Sequence, residues 1–367
     1  MSGHVRSDKK TLFGAAINPP VFFGSLIVLL SLISTTIIIG EPVEDLFRRV
    51  QANISDAAGW FFILLANLLM FFLIYLAFSK FGKIKLGGAE AKPDFSRISW
   101  FSMLFSAGLG IGLLFYGVAE PIYHFNDNPF VDNTDTIAAA KSAMGITFYH
   151  YGIQAWSIYA TVGLALAFFT FNLKLPLTIR SIFYPLLGDK IYGRWGDLID
   201  IISVIATVVG LATSLGLGAQ QVNAGLEYLF GIGYSREAQI VIIAVITALA
   251  TFSLLAGLDK GIRRLSEVNM GLAMVLLVFV LAIGPTAFLM DSFVQNLGYY
   301  IDNFFKIGLW TESFVGVKDD SNWQNMWTVF YYAWWIAWSP FVGIFIARVS
   351  KGRTITEFIL GVVLVPS

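Results

Sequence analysis

Apolar residues run in blocks of about 20 along this chain, and polar residues gather in the gaps between the blocks. A hydrocarbon core about 30 Å thick is crossed by about 20 helical residues, so each block is long enough to span a bilayer. Eight spans are predicted, near 21–40, 59–78, 99–120, 143–171, 198–223, 239–256, 270–289 and 326–346, and a ninth begins at Phe358. The first block is too long for the apolar core of a cleaved signal peptide, and Glu41-Pro42-Val43 is not a small-residue cleavage site, so it is expected to stay as a membrane helix. Two gaps carry more than loop character. Residues 257–266 mix apolar and basic positions at helical spacing and predict a short interfacial helix, with a plain charged loop as the alternative. Residues 172–197, with Pro176, Pro185 and Gly188, are too polar to span and are expected to fold at the interface.

Composition agrees with the pattern. Charged residues make up 13% of the 367 positions and hydrophobic ones 57%, a balance that a lipid bilayer tolerates and water does not. Of the 24 Lys and Arg, 18 fall in the gap before the first span and in every second gap after it, and only 6 in the others. The positive-inside rule then puts the N-terminus in the cytoplasm of a multi-pass protein of the inner or plasma membrane. With a net charge of +0 and no long basic block, nucleic-acid binding is excluded. The chain has no cysteine, which removes disulfides, thiolate nucleophiles and Cys-ligated metals. Its three histidines, at 4, 124 and 150, look too scattered for a metal site.

Three stretches could carry chemistry. Gly108-Leu109-Gly110-Ile111-Gly112 in span three weakens the helix. Clustered glycine lets backbone unwind toward a ligand, while Gly108 and Gly112 also form a GxxxG packing pair, and both readings stay open. In span eight, Trp334, Trp338 and Trp335 fall at about 0°, 40° and 100° around the helix, with Tyr331 near 60° and Phe341 near −20°. An aromatic belt is the ordinary reading of such a face, but these indoles sit near mid-membrane, where each N–H needs a partner. In span four, Tyr151, Trp156 and Tyr159 fit within about 140° of arc beside His150. Facing one another, the two sets would make a cage for a quaternary ammonium. No acidic residue lies deep in a span, Glu120 being at an end and Asp197 and Asp200 at the start of span five. A zwitterion, whose own carboxylate could meet unwound N–H groups near Gly108–Gly112, suits such a site better than a bare cation.

These motifs resemble the betaine/carnitine/choline transporter family from the first span to Ser367. Span eight is similar to its signature of Trp-Thr followed by an aromatic run, with Tyr332 where the family usually has Trp and Tyr151 likewise in span four. The resemblance implies an all-α integral membrane protein with a leucine-transporter-like inverted-repeat fold, here incomplete, with eight full transmembrane helices and the start of a ninth. It divides the chain into residues 1–98 with two accessory helices, 99–289 as a five-helix first repeat, and 290–367 as a periplasmic linker, the first helix of the second repeat and the start of the next. It implies a secondary transporter of a betaine-like compatible solute, with Trp334, Trp335, Trp338, Tyr151, Trp156, Tyr159 and the glycines Gly108, Gly110 and Gly112 at the substrate. Gly112 stands where choline carriers of the family tend to have Asp. No cofactor is implied beyond Na⁺ as coupling ion, with Thr207 and Phe341 at one site, backbone near Leu109 at another, and Leu211 where a second hydroxyl is often found. A homotrimer is left open. The end at Ser367, ten residues into the ninth span, is read as that of a fragment.

Two other classes fit the residues less well. A membrane enzyme needs a nucleophile or metal beside a base, and His150 stands near a span without a Cys or a buried Asp to partner it. A channel would be occluded by a mid-membrane aromatic wall. A sodium-independent carnitine- or betaine-type exchanger is the nearer alternative.

Overall fold

The computed structural model describes residues 10–12, 15–108, 110–257, 261–314 and 322–367. Apart from a small antiparallel hairpin, β1 (Lys10–Leu12) with β2 (Ala15–Ile17), the regular structure in these residues is helical. Seven helices are long and apolar enough to cross a membrane, or eight if a bent pair is counted as one span. The chain is an all-α membrane protein, and its helices follow the apolar blocks because within lipid the backbone must satisfy its own N–H and C=O groups.

The first span is α1 (Pro19–Ile39), and Gly40, at φ +71°, turns the chain directly into α2 (Glu41–Phe78). That helix has 38 residues, about 57 Å of rise, so the polar stretch expected as a gap is its first half. Span three is two helices, α3 (Arg97–Gly108) and α4 (Ile111–Asn126), bent by 56°. Span four is α5 (Thr136–Tyr151) and α6 (Ile153–Ala167), followed by a π-turn at Phe168–Asn172. Residues 179–192 form short turns around α7 (Tyr184–Leu187) and do not cross. Arg180 pins them to the start of α8 (Arg194–Phe230), reaching Asp200 at 2.6 Å and Asp197 at 2.8 Å.

Beyond α9 (Arg236–Leu255), α10 (Arg263–Ile283) starts and stops earlier than the apolar pattern predicts. Arg263 and Arg264 form its first turn and do not belong to a separate interfacial helix, although 258–260 of that stretch lie outside the described residues. The span expected to reach 289 ends at Gly284-Pro285, since proline has no N–H to continue the ladder. Apolar residues run on past this break and hide it. The region read as a linker from 290 carries α11 (Thr286–Asp302) and α12 (Phe304–Gly308). Span eight is a π-turn, Asn325–Val329, leading into α13 (Phe330–Val349), and the ninth block is α14 (Ile355–Leu364), started by a Thr354/Glu357 capping box.

The core lies among α2, α3, α6, α13 and α14, around Trp100, Met103, Tyr159, Ile346 and Phe358. Helices α6 and α13 cross closely, because a Cβ at Gly343 would stand 2.7 Å from Val162 Cγ1 and one at Gly163 would stand 3.2 Å from Ile346 Cγ2. Small residues at a lipid-embedded crossing gain van der Waals contact that bulkier ones forbid. By contrast α9 has no buried residue, as expected of a helix that lipid covers.

Candidate functional site

The α6–α13 crossing brings the two predicted aromatic faces together. Trp335 stands edge-on to Tyr151 at 5.8 Å and to Tyr159 at 5.2 Å, between ring centroids. Tyr159 meets Trp156 at 5.6 Å, and Trp334 stacks beside Trp335 at 6.5 Å. The Trp335 indole N–H donates to the carbonyl of His150 at 3.1 Å, which fixes its edge. Five of the predicted aromatics thus form one connected wall, deeply buried at Trp156 and Tyr159 and half-buried at Tyr151, Trp334 and Trp335.

The glycines close the wall from α3 and α4. A Cβ on Gly108 would overlap the Trp156 ring, and one on Gly112 would lie 3.3 Å from Trp334 Cη2. Close packing and a helix break therefore occur together. Gly110 is extended at φ −103° and ψ 177°, its N–H donates to Gly108 O at 2.8 Å, and no side chain among the described residues caps α4. The Tyr151 hydroxyl donates to Gly112 O at 3.2 Å. The first amides of α4 and its positive dipole end lie beside the aromatic wall, an arrangement that favours a carboxylate.

Trp338 is separated from the other two indoles. It packs against α8, where a Cβ on Gly210 would meet its pyrrole edge, and stands edge-on to Phe341 at 6.2 Å. Its buried Nε1 has no hydrogen-bond partner among the described residues. Phe341 and Thr207 line a common cleft of about 770 Å³ with Asp200, Ser203, Pro340 and Lys174. The Thr207 hydroxyl donates to Ser203 O at 2.8 Å, leaving an oxygen lone pair for a hard cation. Leu109 lies outside the described residues.

Two features escaped the sequence reading. Tyr116 of α4 stands 6.1 Å from Trp334 and 5.8 Å from Tyr331, extending the wall by one turn, and its spacing of four from Gly112 was the available sign. The histidines are not scattered, nor is His150 without a carboxylate. His124 and His150 both turn a nitrogen to Glu120, and all three are fully buried. The only local sign was Glu120 and His124 at helical i, i+4 spacing.

Residues 20–367 match the family model for betaine/carnitine/choline family transporters. The chain belongs to that family. Members are transporters and not enzymes, which removes the enzyme alternative. The chain is 49% identical over 329 residues to the glycine betaine transporter OpuD of Bacillus subtilis, covering 89% of this chain and 63% of that one. It is 44% identical over 353 residues to a glycine betaine transporter of Acinetobacter baylyi, covering 96% and 53%. To the high-affinity choline transport protein of Escherichia coli K12 it is 46% identical over 352 residues, covering 95% and 51%. This family member therefore spans about half to two thirds of the length of these relatives.

Proposed function

We propose that this transporter carries a zwitterionic quaternary-ammonium solute of the glycine betaine type, held in the aromatic wall and driven by Na⁺. The observation that carries the reading is the pairing of Trp334, Trp335, Tyr151, Trp156 and Tyr159 with the uncapped start of α4. Methylated ammonium is attracted to ring faces by about 0.5–2 kcal/mol per contact, and a carboxylate suits the amides beyond Gly110. Relatives named for glycine betaine and for choline agree with that chemistry. Gly112, which brings no charge to Trp334, favours the zwitterion over bare choline.

Sodium, as co-transported cargo, would bind in the cleft of Thr207 and Phe341, with two five-helix repeats rocking about the site. The choice of zwitterion is tested by titrating purified protein with glycine betaine and with choline while following tryptophan fluorescence. Saturable quenching by betaine at lower concentration than by choline supports the reading, and no response to either overturns it.

A further inference from the structure

Three side chains with metal-ligating atoms converge where α4 packs against α5. Glu120 and His124 are one turn apart on α4 and so share a face, and His150 is in the last turn of α5. His124 Nε2 lies 3.0 Å from Glu120 Oε1, and His150 Nδ1 makes a closer contact with the same oxygen. One ligand atom from each of the three lies within 4.8 Å of the other two, and all three residues are fully buried. Ligands about 2.1 Å from a tetrahedral ion stand about 3.4 Å apart, so small rotations of these side chains bring them around one centre.

Hydrogen bonds among the three do not use all their polar atoms. With both rings donating to Oε1, Glu120 Oε2 and His124 Nδ1 stay buried and without a partner among the described residues. The carboxylate also has no Lys or Arg beside it among those residues, a costly state for a buried charge. A cation at the centre takes up Oε2 and supplies positive charge. The far side of His150 suits this arrangement: its Nε2 lies 3.0 Å from the Thr328 hydroxyl, and a ring that donates Nε2–H to that oxygen turns its Nδ1 lone pair inward. A lone pair and a carboxylate facing each other need a cation between them. His124 is held by packing, its ring 4.6 Å from Trp327 and 5.1 Å from Trp323.

Two imidazoles and one carboxylate select the ion by their chemistry. Hard cations take oxygen ligands, whereas imidazole suits zinc and its first-row neighbours, and two His with one Glu are a zinc ligand set. The route in is short, since His124 is two residues, about 3 Å of rise, from the end of α4 at Asn126. We propose that Glu120, His124 and His150 bind one divalent transition-metal ion of the Zn²⁺ class, which stays in place and ties α4 to α5. The His150 carbonyl holds Trp335 and its ring lies nearly parallel on Tyr331 at 4.7 Å, so the ion braces the aromatic wall from behind. Such a site is independent of the transported solute and of the ion that drives it.

The test is metal loading of the intact, untagged transporter. Purified protein is stripped with chelator, incubated with Zn²⁺ or Co²⁺, desalted and assayed for bound metal by mass spectrometry. Wild type should retain about one ion per chain, and because the chain has no cysteine, no thiolate competes for it. Bound Co²⁺ should give visible d–d absorption and quench Trp327 and Trp323, and bound Zn²⁺ should raise the melting temperature. Glu120→Gln and His124→Gln, checked for folding by circular dichroism, should lose the ion. Replacement of the third histidine, His4→Gln, should keep it. Thr328→Val preserves side-chain shape and removes the hydroxyl beside His150 Nε2, so it should weaken metal affinity about 10–100-fold. Wild type that retains no metal overturns the proposal without recourse to any variant. Retention in Glu120→Gln and His124→Gln equal to wild type overturns it as well, by placing the ion elsewhere.

Discussion

Trp335 hangs from His150: the indole N–H donates to the histidine backbone carbonyl at 3.1 Å, while the histidine side chain points the other way, to Glu120 and Thr328. One residue therefore connects the aromatic wall to the buried ionisable cluster. The bond also answers how a mid-membrane indole is satisfied, since the last turn of α5 stops at Tyr151 and its free carbonyls are open to a partner from α13.

Replacing Trp335 by Phe keeps a ring and removes that bond. Betaine affinity should fall about fivefold, the effect of one hydrogen bond of about 1 kcal/mol, and by about tenfold or more in Trp335→Ala. Fluorescence titration of the remaining tryptophans measures both, and wild-type affinity in the alanine variant would place the substrate elsewhere.

At Gly108 a methyl group would overlap the Trp156 ring, and that indole is only 3% exposed and has no space to swing into. Gly108→Ala should lower stability by about 1–3 kcal/mol through overpacking. Gly110→Ala is the control, because nothing lies within 4 Å of its Cβ position and its φ is negative. Thermal unfolding in detergent should separate the two, and equal melting temperatures would show that α3 shifts freely away from α6.

A carboxylate at position 112 would be placed beside Trp334, where it attracts a bare cation and repels the carboxylate of a betaine. In Gly112→Asp the ratio of choline to betaine affinity should rise by an order of magnitude or more, about 1.4 kcal/mol. Competition binding reads the ratio directly. An unchanged ratio would mean that α4 does not line the site.

Among the described residues the Thr207 hydroxyl bonds within its own helix, to Ser203 O, so its removal orphans no partner on another of them. Thr207→Ala should weaken apparent Na⁺ affinity several-fold, with betaine affinity recovering at saturating Na⁺. Betaine titrations across a Na⁺ series would show this, and a Na⁺ dependence equal to wild type would move the ion away from the cleft.

Arg180 holds two carboxylates of α8 and the carbonyl of Ile191. Arg180→Gln removes the charge that compensates Asp197 and Asp200, and should destabilise the protein by about 3–5 kcal/mol. A second change, Asp200→Asn, should recover part of the loss. Failure of the pair to melt above the single variant would show that the two side chains act independently.

The sequence alone determined the membrane class and nearly every span, because lipid forces each crossing to be an apolar helix of about 20 residues and so writes the fold's coarse plan into local composition. The indole faces of span eight were legible for a similar reason, since 100° per residue fixes which side chains share a direction. Neighbours were not legible. Trp334, Trp335 and Trp338 fan over about 100°, wide enough for one helix to touch two others, and only packing decided that Trp335 meets Tyr151 and Tyr159 while Trp338 meets Gly210. The break at Gly110 was hinted at by composition, but its 56° bend and the seats of Gly108 against Trp156 and Gly112 against Trp334 belong to the packed structure. Glu120, His124 and His150 show the limit most clearly. One helical turn joins the first two, but the third is 26 residues beyond His124 and reaches them only because α5 packs back along α4. Local periodicity carries direction around one helix axis, and the distance between two such axes exists only once the helices have packed.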